Sequence, residues 1–151
     1  MTARVHARSE HPQGSAAARR LRDRARRYLA ALAIAEAELS IVVVSDRAIR
    51  SLNRRWRGED RATDVLSFPQ HGASGRLLGD VVISLDTARR VARAEKRDVS
   101  AELDRYLAHG LLHLLGHDHH RRTQARQMAA VEDALVGSGL VGATLARPGR
   151  S

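Results

Sequence analysis

The sequence predicts an α+β domain: a small mixed β-sheet packed with helices. Three observations lead there. Apolar periodicity changes along the chain in the order helix, strand, helix, two strands, then helices. Two runs, at 39–45 and 77–84, read as strong strands, the first of them rich in β-branched residues. The 151 residues contain no internal repeat and no linker, so residues 1–151 are expected to form a single domain. That length buries a core without cross-links, and the chain has no cysteine.

Residues 1–14 are polar, contain Pro12 and Gly14, and are expected to be flexible, with a weak edge-strand signal at 3–8. Ser15 is suited to cap a helix. Behind it Leu21, Ala25, Tyr28, Leu29 and Leu32 recur at helical spacing, and arginines 19, 20, 22, 24, 26 and 27 fill the other faces. Residues 39–45 follow as a buried strand built on Ile41, Val42, Val43 and Val44. Asp46 is suited to cap the next helix, whose apolar positions are Ile49, Leu52 and Trp56 and whose end is basic, Arg54-Arg55-Trp56-Arg57-Gly58. Residues 65–68 make a short strand stopped by Pro69, residues 71–76 a loop, and 77–84 a strand close enough to complete a hairpin.

Ser84 can cap a helix carrying Leu85, Ala88, Val91 and Ala92. Asp98 or Ser100 starts the following one. On it Leu103, Leu107, Gly110, Leu111 and Leu114 share a stripe, Leu112 and Leu115 cover another, and Glu102, Tyr106, His109 and His113 form a third. A helix apolar on most of its circumference is buried, which predicts His109 and His113 at the floor of a cleft. A last helix covers about 121–136, with Ala125, Met128, Ala129 and Leu135 as its apolar positions. Residues 137–151, broken by Gly139, Gly142, Pro148 and Gly149, are expected to be a flexible tail.

Five of the eight histidines fall between positions 109 and 120. His109 and His113 stand four apart, so on a helix they share one face, one turn apart. Gly116 can end that helix in a left-handed conformation, and the chain can then fold back to bring His119 to the same point. The spacing H-x-x-x-H-x-x-G-x-x-H is that of the metzincin zinc proteases. Three imidazoles suit one zinc ion with the fourth position left for water. His109, His113 and His119 are therefore the candidate ligands, in a metal cleft formed by the buried helix and the turn after it. His117 and His120 fall at the surface or behind the ligands, and Asp118 is suited to orient an imidazole or to cap the next helix, with general base as the alternative.

One residue departs from the metzincin pattern. Gly110 stands where those peptidases carry the glutamate that serves as general base. Peptide hydrolysis then lacks its proton acceptor. Phosphodiester cleavage makes a different demand, a metal and a guanidinium set against phosphate charge. Arg57, just before Gly58 and the loop into 63–69, is the candidate catalytic arginine. The plainer reading of Arg57 is a surface residue in an arginine-rich chain.

The formal net charge of +9 and the pI of about 11.4 favour a polyanionic partner, nucleic acid above all. Lys96 is the only lysine, so a compositional bias toward arginine competes with that reading. No apolar run is long enough to span a bilayer and no apolar leader segment opens the chain, so a cytoplasmic protein with no membrane partner is expected. The Arg-rich, acid-poor start leaves an organellar transit peptide as the alternative.

Three segments together resemble the YbeY family of bacterial rRNA maturation factors. They are Leu52-Asn53 through Trp56-Arg57-Gly58 and on to Thr63-Asp64-Val65-Leu66-Ser67-Phe68-Pro69; Leu78-Gly79-Asp80-Val81-Val82-Ile83-Ser84; and His109-Gly110-Leu111-Leu112-His113-Leu114-Leu115-Gly116-His117-Asp118-His119. The resemblance runs from about 39 to 136 and departs from the family at position 117, often Tyr there and His here. It implies a single-strand-specific, zinc-dependent endoribonuclease in rRNA processing, acting in small-subunit rRNA 3′-end maturation and ribosome quality control. It implies one Zn2+ on His109, His113 and His119, with Arg57 as the functionally important arginine. The implied partners are single-stranded RNA or rRNA and the ribosome or its small subunit. The competing expectations are a non-catalytic, zinc-stabilised ribosome-assembly factor and a zinc peptidase that recruits its base elsewhere.

Overall fold

Four strands, β1 (Arg4–Ser9), β2 (Glu38–Val44), β3 (Val65–Pro69) and β4 (Leu77–Ser84), hydrogen-bond in the order β1-β2-β4-β3. The computed structural model describes residues 3–70, 77–116 and 122–137. β1 and β4 both run parallel to β2, and β3 pairs antiparallel to β4, with Val65 opposite Ile83. The sheet is thus mixed and the β3–β4 hairpin is present, both as expected. Five helices complete the described part: α1 (Ser15–Ala31), α2 (Asp46–Arg57), α3 (Leu85–Glu95), α4 (Val99–Leu114) and α5 (Arg122–Gly137).

The inner strands are covered on both faces, which is why β2 reads as an unbroken apolar run rather than an alternating one. Leu39, Ile41 and Val43, with Val81 and Ile83 of β4, face α1 and α4 in the larger core. Val42, Val44, Leu66 and Val82 point the other way, where Ile49 and Leu52 of α2 cover them. The sheet therefore separates α4, which carries the histidine pair, from α2, which carries Arg57.

Several local expectations are corrected. Within the stretch 1–14, residues 4–9 form the edge strand for which 3–8 gave a weak signal: each pairs with β2, from Arg4 opposite Glu38 to Ser9 opposite Val43. Val5 is buried between exposed Arg4 and His6, an alternation that the polar local sequence signals only faintly. Ser15 does not cap α1; Gly14 stands at that position without a side-chain bond. Asp46 does not cap α2 either. Ser45 does, its Oγ accepting from the Ala48 N–H, which leaves Asp46 as the first helical residue. Ser84 caps α3 as expected, accepting from the Thr87 N–H, and Asp98 is the residue that opens α4. The expected tail from 138 onward lies outside the described residues.

Among the described residues no helix is long and apolar enough to cross a membrane.

Candidate active site

α4 is held down along nearly its whole length. Leu103, Leu107 and Leu111 recur every four residues and are fully or almost fully buried against the sheet and α1. Glu102 and Asp104 are buried too, and each is paired: Glu102 with Arg97 at 2.7 Å, Asp104 with Arg20 at 2.8 Å and Arg24 at 3.5 Å. Burial pushes the Tyr106 phenol above its ordinary value, and the carboxylates of Glu102 and Asp64 push it the same way. Tyr106 therefore stays neutral, one turn before His109.

Gly110 is where the helix touches the strands. A Cβ there would lie 2.9 Å from Val81 Cγ1, 3.0 Å from Ser67 Oγ and 3.1 Å from Val65 Cγ2. The Ser67 hydroxyl also donates to the Gly110 carbonyl at 2.9 Å, tying β3 to α4. Position 110 therefore faces the sheet at contact distance, and a glutamate there would collide with β3 and β4. The absence of the peptidase base has a packing cause as well as a chemical consequence.

His109 and His113 come together as their spacing requires. Their ring centroids are 4.7 Å apart, with the planes at 71°. Both histidines are half-buried, and 38% of the His109 side chain is accessible, because the apolar stripes of α4 take the covered faces and leave these rings at the margin. Gly116 adopts a φ of +92°, a conformation that costs other residues more, shortly after the helix ends at Leu114. His119, together with His117, Asp118 and His120, lies outside the described residues, as does the far wall of the expected cleft. Among the described residues no group of three histidine, cysteine or acidic side chains is gathered for a metal.

One residue near the histidines was not legible in the sequence. Glu132 of α5 meets His109 Nδ1 at 3.2 Å, and its other oxygen lies 3.5 Å from Arg105. A carboxylate only accepts, so in the neutral ring the proton sits on Nδ1 and the lone pair falls on Nε2. This carboxylate–histidine arrangement orients metal-binding imidazoles. His109 and His113 therefore fit a divalent ion by donor type and, for His109, by tautomer. A cavity of about 570 Å³ lies elsewhere, between α1 and the following turn; Leu29, Ile34 and four alanines line it with Arg26. It has no ligating side chain and is not a candidate for the chemistry.

Arg57 ends α2, where Gly58 closes the helix in the left-handed region at φ +71°. It is exposed and makes no hydrogen bond or ion pair among the described residues. It lies on the α2 side of the sheet, and the histidine pair on the α4 side. The two are linked by β3, the edge strand. Successive β3 residues point to opposite faces: Ser67 bonds to Gly110 beside His109, and Phe68 packs edge-on against Trp56 beside Arg57, ring centroids 6.2 Å apart. Thr63 and Asp64 serve the turn into this strand, Asp64 accepting from the Val65 N–H at 2.7 Å.

A family profile described as Endoribonuclease YbeY matches residues 6–138. The chain belongs to the YbeY family. A relative named Endoribonuclease YbeY from Anaeromyxobacter sp. (strain Fw109-5) is 64% identical, covering 99% of this chain and 78% of its own length. One of the same name from Thermus thermophilus is 41% identical over 75% of this chain and 87% of its own. The solution structure of a Thermotoga maritima protein aligns over 99% of both chains with a TM-score of 0.60 at 22% identity, a likeness of fold. The YbeY resemblance and the α+β fold read from the sequence are both borne out.

Proposed function

We propose that this chain is a cytoplasmic, zinc-dependent endoribonuclease that cuts single-stranded RNA during ribosomal RNA processing, with small-subunit rRNA 3′-end maturation as its role on the ribosome. One observation carries the reading beyond family membership. His109 and His113 stand side by side on a rigid helix, and Glu132 turns His109 Nε2 into the donor atom. With His119 they form the ligand set. A bound zinc ion would supply Lewis acidity toward a phosphoryl oxygen. The chain supplies the rest. Glu132 holds the His109 ring, Arg105 holds Glu132, and the buried leucines of α4 keep the imidazoles from swinging away. Arg57 grips the phosphate, where a guanidinium offers two parallel N–H donors and the charge that an anionic transition state needs.

The packing at Gly110 weighs against the peptidase alternative, since no base fits at that position. Cleavage of a single-stranded rRNA fragment, with and without chelator, tests the proposal. Chelator abolishes cleavage and added Zn2+ restores it. His109→Ala loses activity about 100-fold or more while its circular dichroism stays that of the parent, and Arg57→Ala loses about 10²–10³-fold with metal content unchanged. Cleavage by His109→Ala at the parental rate would sink the proposal. A zinc-dependent melting temperature with no cleavage in any variant would favour the assembly-factor reading.

A further inference from the structure

β3 is an edge strand, and its outer side is nearly closed to further pairing. The Ser84 N–H donates to the Asp64 carbonyl and the Gln70 N–H to the Leu78 carbonyl, at 2.9 and 3.2 Å. Ladder bonds in an antiparallel pair recur at every second residue. Leu66 and Phe68 therefore also face β4, while Val65, Ser67 and Pro69 turn their peptide groups outward. Two of these outward positions offer no donor. The Val65 N–H is taken by the Asp64 carboxylate at 2.7 Å, and Pro69 has no N–H. Such an edge resists the addition of another strand. It leaves one residue, Ser67, with both an outward N–H and an outward carbonyl, and neither has a partner among the described residues.

That residue stands beside the histidine pair. Gly110 faces β3 and β4, and its carbonyl accepts from the Ser67 hydroxyl. Around α4 from Gly110, Asp104 turns to one flank, toward Arg20 of α1, and His109 and His113 turn to the other. α1 lies over β1 and β2, so the histidine flank is the one that overlooks the free edge of β3. Tyr106, on the same flank, is near enough to Asp64 at the start of β3 to feel its charge.

A donor and an acceptor side by side on one residue match a nucleobase. Uracil, adenine, guanine and cytosine each carry a donor next to an acceptor on the Watson–Crick edge, the edge that proteins read in unpaired RNA. A backbone N–H and carbonyl can pair with any of them. We propose that the Ser67 N–H and carbonyl hold the Watson–Crick edge of one unpaired base, seating the RNA strand along the free edge of β3 beside His109 and His113. The proposal rests on the endoribonuclease reading and gives it a source of single-strand selectivity. In a duplex that edge is occupied by the opposite base, so paired RNA is refused without any preference for one base. A peptide strand is the poorer occupant, because it meets a single donor where a ladder needs several.

A short oligouridine tests the proposal in three forms: unmodified, 3-methylated at every base and 5-methylated at every base. The 3-methyl group replaces the donor on the Watson–Crick edge, and the 5-methyl group leaves that edge free. Charge, ribose and ring are common to all three. The unmodified and 5-methyl strands are cut alike, and the 3-methyl strand is cut with a kcat/KM about 10- to 100-fold lower, the effect of two lost hydrogen bonds. Two variants locate the effect. Ser67→Ala removes the bond to Gly110 but keeps the outward peptide, so it keeps the preference. Ser67→Pro removes the outward N–H without breaking a ladder bond, and its preference is about 2- to 10-fold smaller than that of Ser67→Ala. Equal cleavage of all three strands overturns the proposal and leaves the endoribonuclease reading standing. Cleavage of a ribosomal RNA fragment but not of oligouridine does the same. A folded Ser67→Pro with the full preference of the parent also overturns it, and if that variant does not fold, the methylated strands decide alone. If the protein cuts no RNA, both readings fall.

Discussion

Gly110 shows how much a single position can decide without a side chain. Its three nearest neighbours, Val81, Ser67 and Val65, belong to the two strands beneath α4, and two of them are β-branched and stiff. Alanine there gains about 1 kcal/mol of helix propensity but forces the helix away from the sheet, at about 1–3 kcal/mol. The expected net result for Gly110→Ala is a loss of about 1 kcal/mol, read from the urea midpoint. Gly110→Glu, which rebuilds the metzincin motif on paper, is expected to give insoluble or unfolded protein and no peptidase activity. Soluble expression with a native melt would contradict this. The histidine pair was legible from sequence because its spacing is local to one helix. Glu132 was not, because it reaches His109 from another helix and no periodicity connects the two. Ser45 and Asp46 show a similar limit: both are good caps, and the choice depends on what else Asp46 can reach.

At the scale of elements, the arginines of α1 look alike in sequence and divide in the structure. Arg20 grips Asp104 of α4 with two bonds, of 3.1 and 2.8 Å, and Arg24 adds a contact at 3.5 Å. Asp104 is almost fully covered, with 9% of its side chain accessible, so the pair clasps two of the longest helices together. Arg19, Arg26 and Arg27 point to solvent. Breaking a buried pair costs about 3–5 kcal/mol, but Arg20 is partly exposed and Arg24 remains, so Arg20→Ala is expected to cost about 2 kcal/mol. Substitution of Arg19 or Arg27 is expected to stay within about 0.5 kcal/mol. Chemical denaturation of the single variants separates the two groups, and equal losses would refute the division. The strands and helices themselves were legible because apolar periodicity is a local signal. β1 was nearly missed because an alanine and a single valine carry its inward side, and only β2 beside it makes it a strand.

For the molecule as a whole, acid is the expected point of failure. The C-terminal ends of β1, β2 and β4 lie side by side, and a polar knot joins the segments leaving them. Burial would raise the Asp46 carboxyl, but bonds from Thr87, Arg90 and Ser84 together outweigh it and hold the group below its ordinary value. In Asp86, burial is likewise outweighed, by the Asp46 N–H and by His11 at 2.9 Å. Both carboxyls have lower pKa values folded than unfolded. Their contribution is therefore complete above about pH 4 to 5 and is lost as pH falls through the folded values. Melting temperature should change little from neutral to weakly acidic pH and fall steeply below about pH 4. Asp46→Asn should lose about 1–3 kcal/mol at neutral pH and show a smaller further fall in acid. A variant as acid-sensitive as the parent would remove Asp46 from this role.

The strand order β1-β2-β4-β3 also bears on how the chain is made. β4 is central in space but emerges last of the four during synthesis. Until it does, β2 presents one open edge with three consecutive valines, and β3 has no partner at all. An unpaired apolar edge is a template for association with other chains. A nascent chain stalled before Leu77 is thus an aggregation hazard, and arrival of β4 is the event that makes the N-terminal half safe.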